Sequence, residues 1–98
     1  MRSILQTDNN KCFLCGGGRG LEPLDKHHVF GGASRKASEI YGLTMYLHHS
    51  KCHIFGKNSV HANREIRDEL SAYAQRAAMK HYGWTKEKFI NIFGRSWI

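Results

Sequence analysis

A single α+β domain is the architecture this sequence predicts, and three observations predict it. The chain has 98 residues, enough for one domain with a modest core. Its first half carries short apolar stretches bounded by glycine, whereas from Ala62 the residues Ile66, Leu70, Tyr73, Ala77 and His81 recur at helical spacing. Between the two lies a concentration of cysteine and histidine, drawn from totals of 3 and 7. No repeat, low-complexity tract or linker divides these parts. One domain is therefore expected over 1–98, with a loose lead-in over 1–10, a knuckle-and-strand region over 11–61 and a helical part over 62–98.

The elements follow in order. The lead-in ends at Asp8-Asn-Asn and has no periodicity. Lys11 to Cys15 reads as a short strand whose cysteines flank a tight turn, with Gly16, Gly17 and Gly18 supplying backbone freedom. The glycine run is not a phosphate loop, because no Gly-Lys-Ser or Gly-Lys-Thr follows it. Residues 24–30 fit a strand ending at Gly31-Gly32, Ser34 then caps a short helix that Gly42 stops, and residues 43–47 form a second strand. In the helical part Gly83 ends the long helix, and Thr85 caps a last one in which Phe89, Ile90 and Phe93 pack with Trp84. His81, on the apolar face, is read as packing.

A domain this small often needs a staple. Disulfides are the weaker candidate, because the cysteine count is odd and the knuckle cysteines are too close in sequence to close a useful loop. Zinc in closed sites is tetrahedral and takes Cys and His, most often as short-spaced pairs. Cys12 and Cys15 are one such pair. Cys52 belongs to the other, and His49, at the mirrored H-x-x-C spacing, is expected to complete it, with His48 as the competing fourth ligand. His27, His28, His53 and His61 remain as a second inventory. Adjacent strand residues point to opposite faces, so His27 and His28 should do different jobs, one holding a metal and the other facing substrate.

The balance of 15 Lys and Arg against 8 Asp and Glu, net +7, gives a field that draws polyanions, so nucleic acid is the natural partner. The basic residues are scattered rather than run together, as suits a folded surface. No leader pattern and no stretch of eighteen apolar residues occurs, which points to a soluble protein of a reducing compartment with no membrane partner.

Two stretches, Leu24-Asp-Lys-His-His-Val-Phe and Leu43-Thr-Met-Tyr-Leu-His-His-Ser-Lys-Cys-His, resemble the HNH nuclease family with its ββα-metal fold. The whole chain is similar to the small stand-alone HNH proteins of bacterial phages, where a C-x-x-C knuckle precedes the His-His strand and a Val-His element starts the long helix. The matching motifs span residues 12–63, and the terminal Ile-Phe-Gly-Arg element also fits. The resemblance implies a metal-dependent endonuclease that hydrolyses DNA phosphodiesters in the cytoplasm of a bacterial host. It implies His28 as general base, and His27, His53 and His61 around one divalent ion (Mg2+, Mn2+, Ni2+ or Zn2+), beside the structural Zn2+ of Cys12, Cys15, His49 and Cys52. The nitrogen-rich donor set favours zinc, nickel or manganese over magnesium. The family's middle asparagine would fall near Gly42 and is missing. Its absence leaves a backbone carbonyl near Gly42, or Asn63, to orient His28. It also leaves open a catalytically silent, zinc-stapled module that binds DNA or a protein partner, alone or as a dimer.

Overall fold

The computed structural model describes residues 2–18, 20 and 22–98. Strand β1, Leu24–His28, pairs antiparallel with β2, Thr44–His48, in a two-stranded sheet whose register sets Leu24 against His48 and His28 against Thr44. The connection is a 3-10 turn, Gly32–Ser34, followed by helix α1, Arg35–Tyr41. A wide π-helical turn, His49–Ile54, leaves β2, and helices α2, Arg64–Tyr82, and α3, Lys86–Phe93, complete the chain. The α+β class expected from the sequence is what the chain adopts. Among the described residues no helix is long and apolar enough to cross a membrane.

Gly42 turns the first half back on itself. It ends α1 with φ 72°, in the left-handed region where only glycine sits without strain. A Cβ there would also lie 2.5 Å from the Arg2 carbonyl oxygen, because the N-terminal segment runs directly over it. Residues 1–10 were expected as a loose lead-in, yet the described part is docked. Ile4 N donates to Gly42 O at 2.9 Å, Ser3 Oγ donates to Thr44 O, Tyr46 N donates to Gln6 Oε1 at 2.8 Å, and Leu5 is buried. The knuckle also differs from expectation. Lys11 to Cys15 is a turn rather than a strand, closed by a lone bridge between Lys11 and Gly18 and tied to β2 by Phe13 N donating to Tyr46 O at 2.8 Å.

Helix α2 begins where Asn63 Oδ1 accepts from Ile66 N at 3.2 Å, and ends at Gly83 in the left-handed conformation. Glu65 in its first turn and Lys80 and His81 in its last oppose the helix dipole favourably. Its buried face is Leu70, Ser71, Ala74, Gln75 and Ala78, rotated from the expected one, of which Leu70 stays buried and Ile66 and Ala77 are half-buried against the core. Tyr73 is 47% exposed and His81 is exposed. Small residues let the helix backbone approach its neighbours closely, so alanine and serine occupy the tightest contact while the bulkier Tyr73 stays at its margin. His81 is therefore a surface residue, its ring meeting that of Tyr82 edge-on at 4.7 Å.

Thr85 caps α3 as expected, its Oγ1 accepting from Lys88 N at 3.1 Å. Phe89 and Phe93 are buried and meet Phe30, which lies just beyond β1, at ring separations of 5.4 and 4.8 Å. Leu43, Met45 and Leu47 join Leu70, Ala74, Ala78 and these aromatics in one core. Each large apolar side chain fully buried there contributes roughly 1.5–3 kcal/mol. The C-terminal tail is fastened by Gln75, which is wholly buried: its Oε1 accepts from Trp97 N at 2.7 Å and its Nε2 donates to Ser96 Oγ at 3.0 Å.

Gln75→Ala should therefore destabilise the fold by about 1–3 kcal/mol, because it strands those partners and empties part of the core. Urea unfolding gives the measure. Arg76→Ala, on the exposed neighbour, should stay within about 0.5 kcal/mol of the parent, and equal midpoints for the two variants would refute the anchoring role.

Candidate metal centres

Two groups of metal-type side chains come together, each drawing one ligand from the sheet and one from the π-helical turn. In the first, Cys12, Cys15, His48 and Cys52 place their ligand atoms within 4.8 Å of one another. The knuckle supplies two thiols, the last residue of β2 supplies the imidazole, and the π-helical turn swings Cys52 back beneath it. That turn needs Gly56, whose N donates to Ser50 O at 2.7 Å and whose Cα packs so close to the Lys51 carbonyl that any Cβ would clash. Glu22 accepts from Ser50 N and Lys51 N at 3.0 and 2.8 Å, satisfying amides at the start of the turn. Those backbone bonds hold its carboxyl below the usual range.

His48, not His49, is the imidazole of this centre. The expectation of His49 rested on an H-x-x-C spacing, but His48 ends the strand facing inward, wholly buried, while His49 points out and is 46% exposed at the side chain. The hydrogen bonds fix the tautomer of His48. Its Nε2 lies 2.9 Å from Gly18 O, which can only accept, so Nε2 carries the proton and the Nδ1 lone pair faces Cys15 Sγ at 3.2 Å. Burial pushes the Cys12 thiol up, but amides of Cys15, His48 and Leu14 and the Cys52 thiol outweigh it and bring the pKa down to about 7. Burial and the neighbouring Cys12 and Cys15 push Cys52 the other way, to about 12. The group is close enough to hold a metal ion, and three thiols with one imidazole, three of the four residues buried, is a donor set that fits closed, structural zinc. Such an ion crosslinks the N-terminal knuckle to the end of the sheet and would add its binding energy to folding.

The second group is His27, His53 and His61, again within 4.8 Å of one another. β1 contributes His27, the π-helical turn His53, and the loop before α2 His61. His61 N donates to His53 O at 3.1 Å and Val60 N to Cys52 O at 2.9 Å, which pin that loop against the turn. Asp25 lies two residues before His27, on the same side of β1. Its Oδ2 accepts from His53 Nδ1 at 2.9 Å and from His49 Nδ1 at 2.6 Å. His53 therefore turns its Nε2 inward, 3.2 Å from Nε2 of His61. Ring nitrogens this close repel unless a proton or a metal cation lies between them. His27, lowered to about 3 first by burial and then by His53, His61 and His28, stays neutral with a lone pair to offer. His61 is lowered by burial, His53 and Arg67.

This second group is open where the first is closed. A cavity of about 440 Å³ lies over it, lined by His27, His28, His53 and His61 together with Arg35 and Arg67. His28 faces the other side of β1 from His27, as strand alternation predicted, and its Nε2 lies 3.3 Å from Glu39 Oε1 on α1. Glu39 also accepts from Lys26 Nζ at 2.8 Å, and Lys26 with His28 lowers its carboxyl to about 2. The two orienting groups expected for His28 are engaged elsewhere: Asn63 caps α2, and the Gly42 carbonyl accepts from Ile4 N. Sequence reading missed Glu39, Asp25 and Arg67. Asp25 carried a signal, since a carboxylate at i−2 to a histidine shares its strand face; Glu39, brought in by tertiary packing, carried none.

Fold and site together define a small α+β domain built round a closed Cys3His cluster and an open three-histidine cluster. No family model, curated protein or solved structure matches this chain.

Metal analysis of single variants separates the centres. His48→Ala and Cys15→Ser should each lose one zinc per chain and lower the melting point, whereas His49→Ala should retain it; the reverse pattern would restore His49 as the ligand. Asp25→Asn should leave that zinc in place and weaken metal binding at the three histidines by about 10–100-fold, measured by competition with a chelating dye.

Proposed function

We propose that the protein is an HNH-type endonuclease that hydrolyses phosphodiester bonds of DNA, with His28 as general base beside one divalent ion on His27, His53 and His61. What supports this reading is a single cavity onto which the three-histidine cluster and His28 both open, with a carboxylate fixed behind His28. A base and an open cation site sharing one solvent space is the arrangement that hydrolysis of a phosphate ester requires.

The residues divide the work. Glu39, as a carboxylate, accepts from His28 Nε2–H, so His28 presents Nδ1 as the basic nitrogen and takes the proton of the attacking water as the new P–O bond forms. Glu39 then stabilises the imidazolium that results, which is the orienting role the missing asparagine left open. Arg35 and Arg67 at the cavity wall attract the phosphate and offset its charge. His27, His53 and His61 would hold a divalent ion, which would supply positive charge for the transition state and the departing 3′ oxygen. Asp25 holds His53 in the tautomer that ligation needs. Neutral imidazole donors suit zinc, nickel or manganese better than magnesium.

Incubation with supercoiled plasmid and a panel of divalent ions provides the test. His28→Ala should lower cleavage by about 10²–10⁴-fold with metal content and melting point unchanged. Glu39→Gln should lower it less, while His53→Ala and His61→Ala should lower activity and metal content together. If the parent protein cuts with none of the ions, the reading gives way to a catalytically silent module that binds DNA or a protein partner.

A further inference from the structure

Beside the histidine cavity lies a second one of about 330 Å³, and its walls are unusually cationic: Arg64 and Arg67 come from the first turn of α2, and Arg95 from the tail beyond α3. The two cavities share Val29, Gly31 and Arg67, so they are neighbouring parts of one channel with Arg67 at the junction. Arg67 lines the histidine cavity together with His27, His53 and His61, so the junction lies beside the three histidines. The one carboxylate in the second wall, Asp68, is 3.7 Å from Arg64. Among the described residues no carboxylate forms an ion pair with Arg67 or Arg95. Converging like charges oppose folding, and a concave wall concentrates their field outward.

Arg95 is also held in place. Its guanidinium lies 4.7 Å from the centre of the Trp97 ring, that ring packs on Phe30 at 4.7 Å, and the Trp97 amide is tied to the buried Gln75. An arginine braced on an aromatic face keeps its outer N–H groups aimed in one direction and loses little freedom on binding. A surface lysine on a flexible stem has neither property. The fork of a guanidinium matches the paired oxygens of a phosphate diester.

We propose that this arginine cleft seats backbone phosphates of the nucleic-acid strand that flank the one at the histidine cavity. The inference rests on the nuclease reading for the identity of the strand. It adds the path that strand follows: from the histidines, past Val29 and Gly31, between the start of α2 and the C-terminal tail. The tail thereby belongs to the binding surface, and the anchoring of Ser96 and Trp97 by Gln75 serves recognition as well as stability.

The experiment is binding of a short fluorescein-labelled DNA duplex of arbitrary sequence, followed by anisotropy across a salt series in the His28→Ala background. The double variant Arg64→Gln/Arg95→Gln is compared with Arg76→Gln/Lys80→Gln, which removes the same charge from exposed positions of α2 that line neither cavity. The cleft variant should bind at least about 10-fold more weakly, with the slope of log K against log salt smaller by about 2, and the control should change little. Arg67→Gln alone should move both quantities in the same direction, and the melting point of each variant verifies folding. Equal losses for the two double variants, unchanged binding by the cleft variant, or no duplex binding by the parent would each overturn the proposal. Plasmid cleavage separates it from the nuclease reading. Arginine-dependent binding without cleavage retains the cleft and removes the activity, whereas cleavage with an unaltered KM in the cleft variant retains the activity and removes the cleft.

Discussion

Cys15 and His48 are 33 residues apart in sequence and 3.2 Å apart in space, and much of the structure depends on that contact being kept. With His48 turned inward at the end of β2, alternation sends His49 outward and starts a turn wide enough to return Cys52 to the same cluster. The next residue, His53, then emerges on the opposite side of the turn, toward His27. The closed centre thus dictates where the open one forms. A fold with few fully buried large side chains has little else to hold three loops in register, which is why metal-type ligands dominate the sequence as they do.

β1 is a partition between two kinds of chemistry. Asp25 and His27 face the turn that carries His49 and His53; Lys26 and His28 face α1 and Glu39. Each face pairs a histidine environment with a carboxylate, to opposite ends. Asp25 directs the lone pair of another histidine, His53, inward, whereas Glu39 contacts His28 itself. One five-residue strand therefore gives its two neighbouring histidines different carboxylate surroundings, although both reach the same cavity.

Spacing made the ligand types legible in the sequence, but the geometry of the connecting turn was needed to choose among neighbours. The mirrored H-x-x-C pattern favoured His49 because it assumed an ordinary turn; a π-helical one brings the preceding residue into the cluster and leaves His49 for Asp25. The separation of His27 from His28 was readable because strand alternation is a strict rule. The packed face of α2 was readable only in part: Leu70 belongs to it, but apolar periodicity passed over Ser71, Ala74, Gln75 and Ala78. Glu39 was beyond any local pattern: its partner lies 11 residues away and meets it only after α1 folds back. Nor did Ser3 and Gln6 announce a docked segment, because their contribution is hydrogen bonding to β2 and not periodic burial.

That docked segment bears on how the molecule behaves in a crowded solution. A two-stranded sheet has no interior strand, so both strands leave one side unpaired, and exposed edges invite pairing with other chains. Along the outer side of β2, Thr44 O is taken by Ser3, Tyr46 N by Gln6 and Tyr46 O by Phe13. Side chains and a turn, rather than a third strand, thus fill the hydrogen-bonding row. Another polypeptide arriving at β2 meets no consecutive set of free amides and carbonyls, and the sheet is closed to strand-by-strand growth on that side.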